Sequence, residues 1–199
     1  MAGNQNAAQG SNNTVLGHQN NVKGDNNTAV GHQNTMAGNG NLAMGDMNTM
    51  LGNMNAVNGS ANKLKGDQNA VNGNNNQIVG DKNQVQKDNN KVAGSMNAVD
   101  GNNNTLIGNK NAVQGDLNSV KGDLNGVKGN QNLVAGNENL VKGDNNGVGG
   151  SKNTVDGSEN IVLGDQNILR NANKNQVNGS MNTISNGNNN MVQGNLNRV

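Results

Sequence analysis

His18 and His32 are the only histidines of the chain, and Asp46 follows at the same interval of 14 residues. Two imidazoles and a carboxylate form a donor set that transition metals accept. In a chain that coils every 14 residues the three would share one corner column. No further strong ligand accompanies them, so hydrated turn histidines are the preferred reading and no metal is expected. The recurrent Gly-Asp pairs invite comparison with calcium-binding rolls, but those use a nine-residue pattern with double glycines. Gly149-Gly150 is the sole double glycine here, which argues against calcium. No nucleophile, base and orienting residue come together in the sequence, and no phosphate-binding loop is present. Neither an enzyme nor a cofactor is expected.

The rest of the composition narrows the partners. With 14 basic and 13 acidic residues scattered along the chain, the net charge is +1, and there is no basic patch for nucleic acid or an anionic membrane. Phe, Tyr and Trp are absent, which removes the stacking platforms of single-strand binders. The opening MAGNQNAAQG has no basic segment followed by an apolar one, and no apolar run of about 18 residues occurs, so neither a Sec-type signal nor membrane insertion is expected. The compartment stays open on these grounds.

What must position these residues is a repeat of seven. Asparagine recurs every seventh residue from Asn6 to Asn167 and again at 175, 182, 190 and 197, making 28 units over residues 1–199. Two places after each stands an apolar residue, in 18 cases valine. Only 30% of the residues are hydrophobic, a composition that by itself resembles disorder, but a disordered chain has no reason to keep one apolar slot without a miss. Glycine opens 26 units; Lys87 and Asn171 are read as the exceptions, with Ala172 after the latter. The slot after the glycine is otherwise Asn, Asp, Ser or His. One-residue insertions fall near 171–174 and 185–186.

A period of seven raises the coiled coil, which needs two apolar positions per heptad where this chain has one. A glycine every second turn costs a helix about 1 kcal/mol each, so the helix is rejected. The pattern instead predicts short strands whose Asn and Val point inward and whose neighbours point outward. Gly-Asp or Gly-Asn corners with a positive φ would join them. The expected fold is an all-β solenoid, a parallel β-roll of about 14 residues and two strands per coil, lengthening to 15 at the insertions. A three-sided coil is the alternative; one valine per side suits the flatter one. Inside, Asn13, Asn27, Asn55, Asn69, Asn97, Asn111, Asn125 and Asn139 would stack as a ladder of self-satisfying amides beside a column of valines.

The units GSNNTVLG (10–17), GDQNAVNG (66–73) and GSKNTVDG (150–157) resemble the xxNxVxG repeat of the ice-recrystallisation-inhibition family of cold-hardy grasses, over nearly the whole chain. The resemblance implies a β-roll of 14 to 15 residues per coil with an asparagine ladder, and ice binding through small outward residues on a flat face. A weaker likeness is to the β-roll heads of trimeric autotransporter adhesins.

Outward slots are where a partner would be met. In every second unit the first of them runs through Thr14, Thr28, Leu42, Ala56, Ala70, Ala98, Ala112 and Thr154, small or apolar and uncharged, and this is the candidate binding strip. The neighbouring column is apolar at Leu16, Val30 and Met44 but charged at Lys128, Lys142 and Arg170; the opposite side carries Lys23, Lys63, Lys65, Lys91 and Lys121. At the ends, removal of Met1 leaves 198 residues, which is 28 × 7 + 2. Gly3, Asn6 and Ala8 of one molecule would then continue the phase of Asn197 and Val199 of another. The first expectation is therefore a structural solenoid that partners itself head to tail in a fibre. Ice is the second candidate partner, and an adhesin-like surface module the third.

Overall fold

In the computed structural model, which describes residues 1–199, the chain folds into three-residue strands separated by corners, and no helix forms. It divides into two compact units, Met1–Asn97 and Ala98–Val199. In the first unit, the odd-numbered strands, from Ala7–Gln9 to Lys91–Ala93, form one parallel sheet, and the even-numbered strands, from Thr14–Leu16 to Gln84–Gln86, form another. The second unit repeats the arrangement with even strands from Ala98–Asp100 to Thr183–Ser185 and odd strands from Thr105–Ile107 to Met191–Gln193.

Each strand pairs with the strand one coil on, at a register of 14 residues, as in Ala56↔Ala70 and Ala112↔Gly126. Past the insertions the register becomes 15, as in Ile161↔Gln176 and Ile168↔Thr183. These are the two-sided coils that the repeat predicts, and the three-sided alternative falls away. Corners are hydrogen-bonded like strands. The Gly31 N–H donates to the Leu16 carbonyl and the Gln33 N–H to the His18 carbonyl, both at 2.9 Å. A roll with so thin an interior thus leaves few backbone groups needing water.

Along every strand but the first only the middle residue is buried, from Val15 and Val22 to Ile184 and Val192. Where this residue shrinks on one sheet it grows on the other. Ala29 and Ala43 on even strands stand at the coil levels of Met36 and Met50 on odd strands, and all four are 0–1% exposed. Methionine's unbranched chain fills the space that alanine gives up. Met44, Met47 and Met54 are exposed.

The corner glycine has two jobs. Gly66 has φ +130°, and a Cβ built on it would lie 2.2 Å from the Gly80 carbonyl oxygen of the next coil. A side chain fits the slot only where the backbone departs from this geometry. Lys87 takes the slot with φ 72°. At the first insertion the structure corrects the sequence reading. Ala172, not Asn171, occupies the glycine slot, since its carbonyl accepts the Asn160 amide at 2.7 Å, and Asn173 takes the corner after it by accepting the Ser158 N–H at 2.8 Å. Asn171 is the extra residue. It carries the positive φ of 47° upstream, and Ala172 is free of it. Asn186 does the same before Gly187, with φ 56°.

A second left-handed position was not foreseen. The residue just before every ladder asparagine also has a positive φ, for example Gln68 at 59°, Leu124 at 60° and Lys152 at 60°. These side chains vary from Glu to Met, but no Val, Ile or Thr stands among them. Branching at Cβ makes this backbone region prohibitive.

Candidate ice-binding face

The asparagine ladder fixes how flat each sheet can be. Asn69, 1% exposed, donates from Nδ2 to Asn55 Oδ1 at 3.0 Å and to the Gly80 carbonyl at 2.8 Å. Its Oδ1 accepts the Asn83 N–H and the Asn83 Nδ2, both at 3.0 Å. Two donors and two lone pairs are all used. In the second unit Asn125 repeats this, donating to Asn111 Oδ1 and the Gly136 carbonyl and accepting from Asn139. Asn27, Asn55, Asn97, Asn111 and Asn139 are buried with it, while Asn13 is half-buried. No buried side-chain polar atom lacks a partner. The outward slots are thus held on a fixed grid, with neighbouring strands about 4.8 Å apart.

On that grid the strip named from the sequence is contiguous in the first unit, while in the second Gly126 and Leu140 stand between Ala112 and Thr154. In the first, Thr14↔Thr28, Thr28↔Leu42, Leu42↔Ala56 and Ala56↔Ala70 are paired neighbours. Thr14, Ala56 and Ala70 are exposed, and Thr28 and Leu42 half-buried. In the second unit Ala98↔Ala112 are neighbours and Thr154 lies beside Leu140 and Ile168. In the first unit the adjoining column, Leu16 to Gln86, is also free of charge, so this entire even sheet presents twelve outward slots without an ionisable group. It is not uniformly level. Ala56, Asn58, Ala70 and Asn72 form a shallow hollow between Leu42 and Met44 on one side and Gln84 and Gln86 on the other. In the second unit the adjoining column brings Lys142 within 3.5 Å of Asp156, an exposed pair of the kind worth at most about 1 kcal/mol.

A profile of the grass antifreeze beta roll family matches residues 1–101 and 85–164. The chain belongs to the grass antifreeze β-roll family. A search of curated proteins gave no match.

The histidines sit in the corners, as the turn reading has it, and their rings take part in the corner bonding. The His18 and His32 rings lie parallel, 3° apart in plane with centroids 5.1 Å apart. His18 Nδ1 accepts the Asn4 N–H at 3.0 Å, and Asp46 Oδ1 accepts the His32 N–H at 2.7 Å. Elsewhere the same bond is made by Asp25 Oδ1 to Ser11 and by Ser60 Oγ to Asp46. Asn, Asp, Ser and His share an acceptor a bond or two beyond Cβ, which is what this corner uses. Stacked rings with parallel planes do not aim their nitrogens at a common point, and no group of three or more ligating side chains forms.

At the ends, Gly3 has φ 105°. Half-buried Asn6 donates to the Gly17 carbonyl at 2.7 Å, and Ala8 pairs with Val22. Asn197 donates to Asn182 Oδ1 at 2.9 Å, and the Val199 N–H donates to the Thr183 carbonyl at 2.9 Å. The family match gives no support to head-to-tail assembly.

Proposed function

We propose that the chain binds ice through the outward face of the even strands between Thr14 and Gln86. The observation that carries this is the coincidence of the antifreeze family match over residues 1–101 with the charge-free sheet inside that range. A lysine or aspartate keeps its hydration shell and resists being pressed against a neutral crystal. Threonine hydroxyls and alanine methyls on a rigid grid carry no such cost. Molecules held by this face pin the growing ice front between them and slow the transfer of water from small crystals to large ones. The test is an ice-recrystallisation assay with crystal shaping, comparing the native chain with A56K/A70K. The native chain should keep crystals small and faceted and the variant should lose much of this. Unaltered crystals with the native chain at high concentration would rule the reading out.

A further inference from the structure

We propose a modification site at Asn186, whose side-chain amide converts to a carboxylate through a cyclic imide closed by the backbone nitrogen of Gly187. The reaction needs only hydroxide and water, and it does not depend on what the roll binds. An asparagine followed by glycine is open to this ring closure because no Cβ on the second residue obstructs the approach of its nitrogen. The chain holds seven such pairs, beginning at Asn39, Asn58, Asn72, Asn125, Asn146, Asn178 and Asn186. As dipeptides they are equivalent, and the fold separates them.

The attacking atom is the glycine nitrogen, which must first lose its proton. In six of the pairs that N–H is engaged in the bonding from coil to coil. Gly40 donates to the Asp25 carbonyl, Gly59 to Met44, Gly73 to Asn58 and Gly179 to Leu163, each at 2.9 Å. Gly126 and Gly147 donate to the Asn139 and Asn160 carbonyls at 2.8 Å. Asn125 and Asn146 are moreover buried ladder residues, and the nitrogen that would have to leave donates two hydrogen bonds in each.

At Asn186 the extra residue changes the bonding. Its own N–H takes the bond to the Arg170 carbonyl at 2.9 Å, and the Gly187 N–H donates to no protein acceptor. Asn186 is exposed, so hydroxide and water reach it. Its Oδ1 accepts Asn171 Nδ2 at 3.2 Å. That oxygen gains negative charge as the nitrogen adds to Cγ, so the Asn171 donor favours the addition. Packing also retains the glycine, since a Cβ at 187 would lie 2.5 Å from Asn190 Nδ2 and 2.9 Å from Ile184 Cγ2.

The steps balance without any oxidant or reductant. Hydroxide removes the Gly187 amide proton, the nitrogen bonds to Asn186 Cγ, and the Cγ–Nδ2 bond breaks with release of ammonia. Water then opens the ring. Cleavage between Cγ and the nitrogen gives aspartate, and cleavage at the backbone carbonyl gives isoaspartate, whose main chain runs through Cβ and Cγ. Either product is ionised at neutral pH and brings the net charge of +1 to zero.

The experiment incubates the full chain at mildly alkaline pH, folded and in urea, and locates the conversion by peptide mapping with mass spectrometry. In the folded chain Asn186 should convert at least about tenfold faster than any of the other six, because a bonded N–H reacts only after local opening. In urea all seven should convert at similar rates. Asn186→Gln, whose longer side chain would have to close a larger ring, should remove the conversion in the folded state. Gln68 holds the same left-handed backbone at φ 59°, so the variant should fold, as circular dichroism will check. An Asn186 that stays intact in the folded chain overturns the proposal, and so do Asn58, Asn72 and Asn178 converting as fast as Asn186 does.

Discussion

Replacing Asn69 by aspartate separates the ladder's hydrogen bonds from its shape. Asn69→Ala leaves the Asn83 N–H and one Asn83 amide hydrogen without their acceptor at 3.0 Å. At about 1–3 kcal/mol for each buried orphan, the loss is about 2–6 kcal/mol. Asn69→Asp is isosteric and keeps that acceptor, but places a carboxylate oxygen where the amide nitrogen had faced the Gly80 carbonyl and Asn55 Oδ1 at 2.8 and 3.0 Å. Both neighbours accept hydrogen bonds, so only the protonated acid fits, and it can serve one of them. Burial and these two acceptors hold the acid's folded-state pKa above its unfolded value. The folded chain then binds the extra proton, so stability is greatest below the unfolded pKa. It falls by about 1.4 kcal/mol per pH unit as pH rises from that value to the folded one. Urea unfolding followed by circular dichroism, from acid to neutral pH, measures both variants. A loss under about 1 kcal/mol for Asn69→Ala, or an Asn69→Asp penalty that does not move with pH relative to Asn69→Ala, would refute the ladder as the source of stability.

Other substitutions test the remaining parts of the coil. Gly66→Ala puts a methyl 2.2 Å from the Gly80 carbonyl oxygen at φ +130° and should cost more than about 3 kcal/mol in chemical unfolding, in the range of severe backbone strain. Leu124, exposed with φ 60°, should behave in the opposite way. Leu124→Gly should raise stability by up to about 1 kcal/mol and Leu124→Val lower it, as read from melting curves. Met50→Ala should cost about 2–5 kcal/mol through the cavity it opens. The A43V/M50V pair restores the common valine filling and should cost under about 1.5 kcal/mol; a double-mutant cycle giving simple additivity would contradict the volume exchange between the two sheets.

The inward half of this protein was legible in its sequence. One asparagine and one aliphatic residue every seven positions, with glycine between, leave no helix and no ordinary core, and every ladder residue faces inward as the spacing requires. The reason is that a buried slot one side chain deep tolerates few residue types, so the constraint is written at each repeat. Tertiary structure decided what the repeat left variable. The left-handed slot before each asparagine is filled by Gln68, Leu124 or Lys152 alike, and its only trace is the lack of β-branched residues. His18 reads as a turn histidine, and only the preceding coil shows what its ring does there, where Nδ1 is one more corner acceptor. Ala172 and Asn171 exchange places because the extra residue absorbs the positive φ. The outward faces depend on coil closure most of all, since only the pairing of each strand with the one 14 or 15 residues on brings uncharged residues from successive repeats onto a common surface.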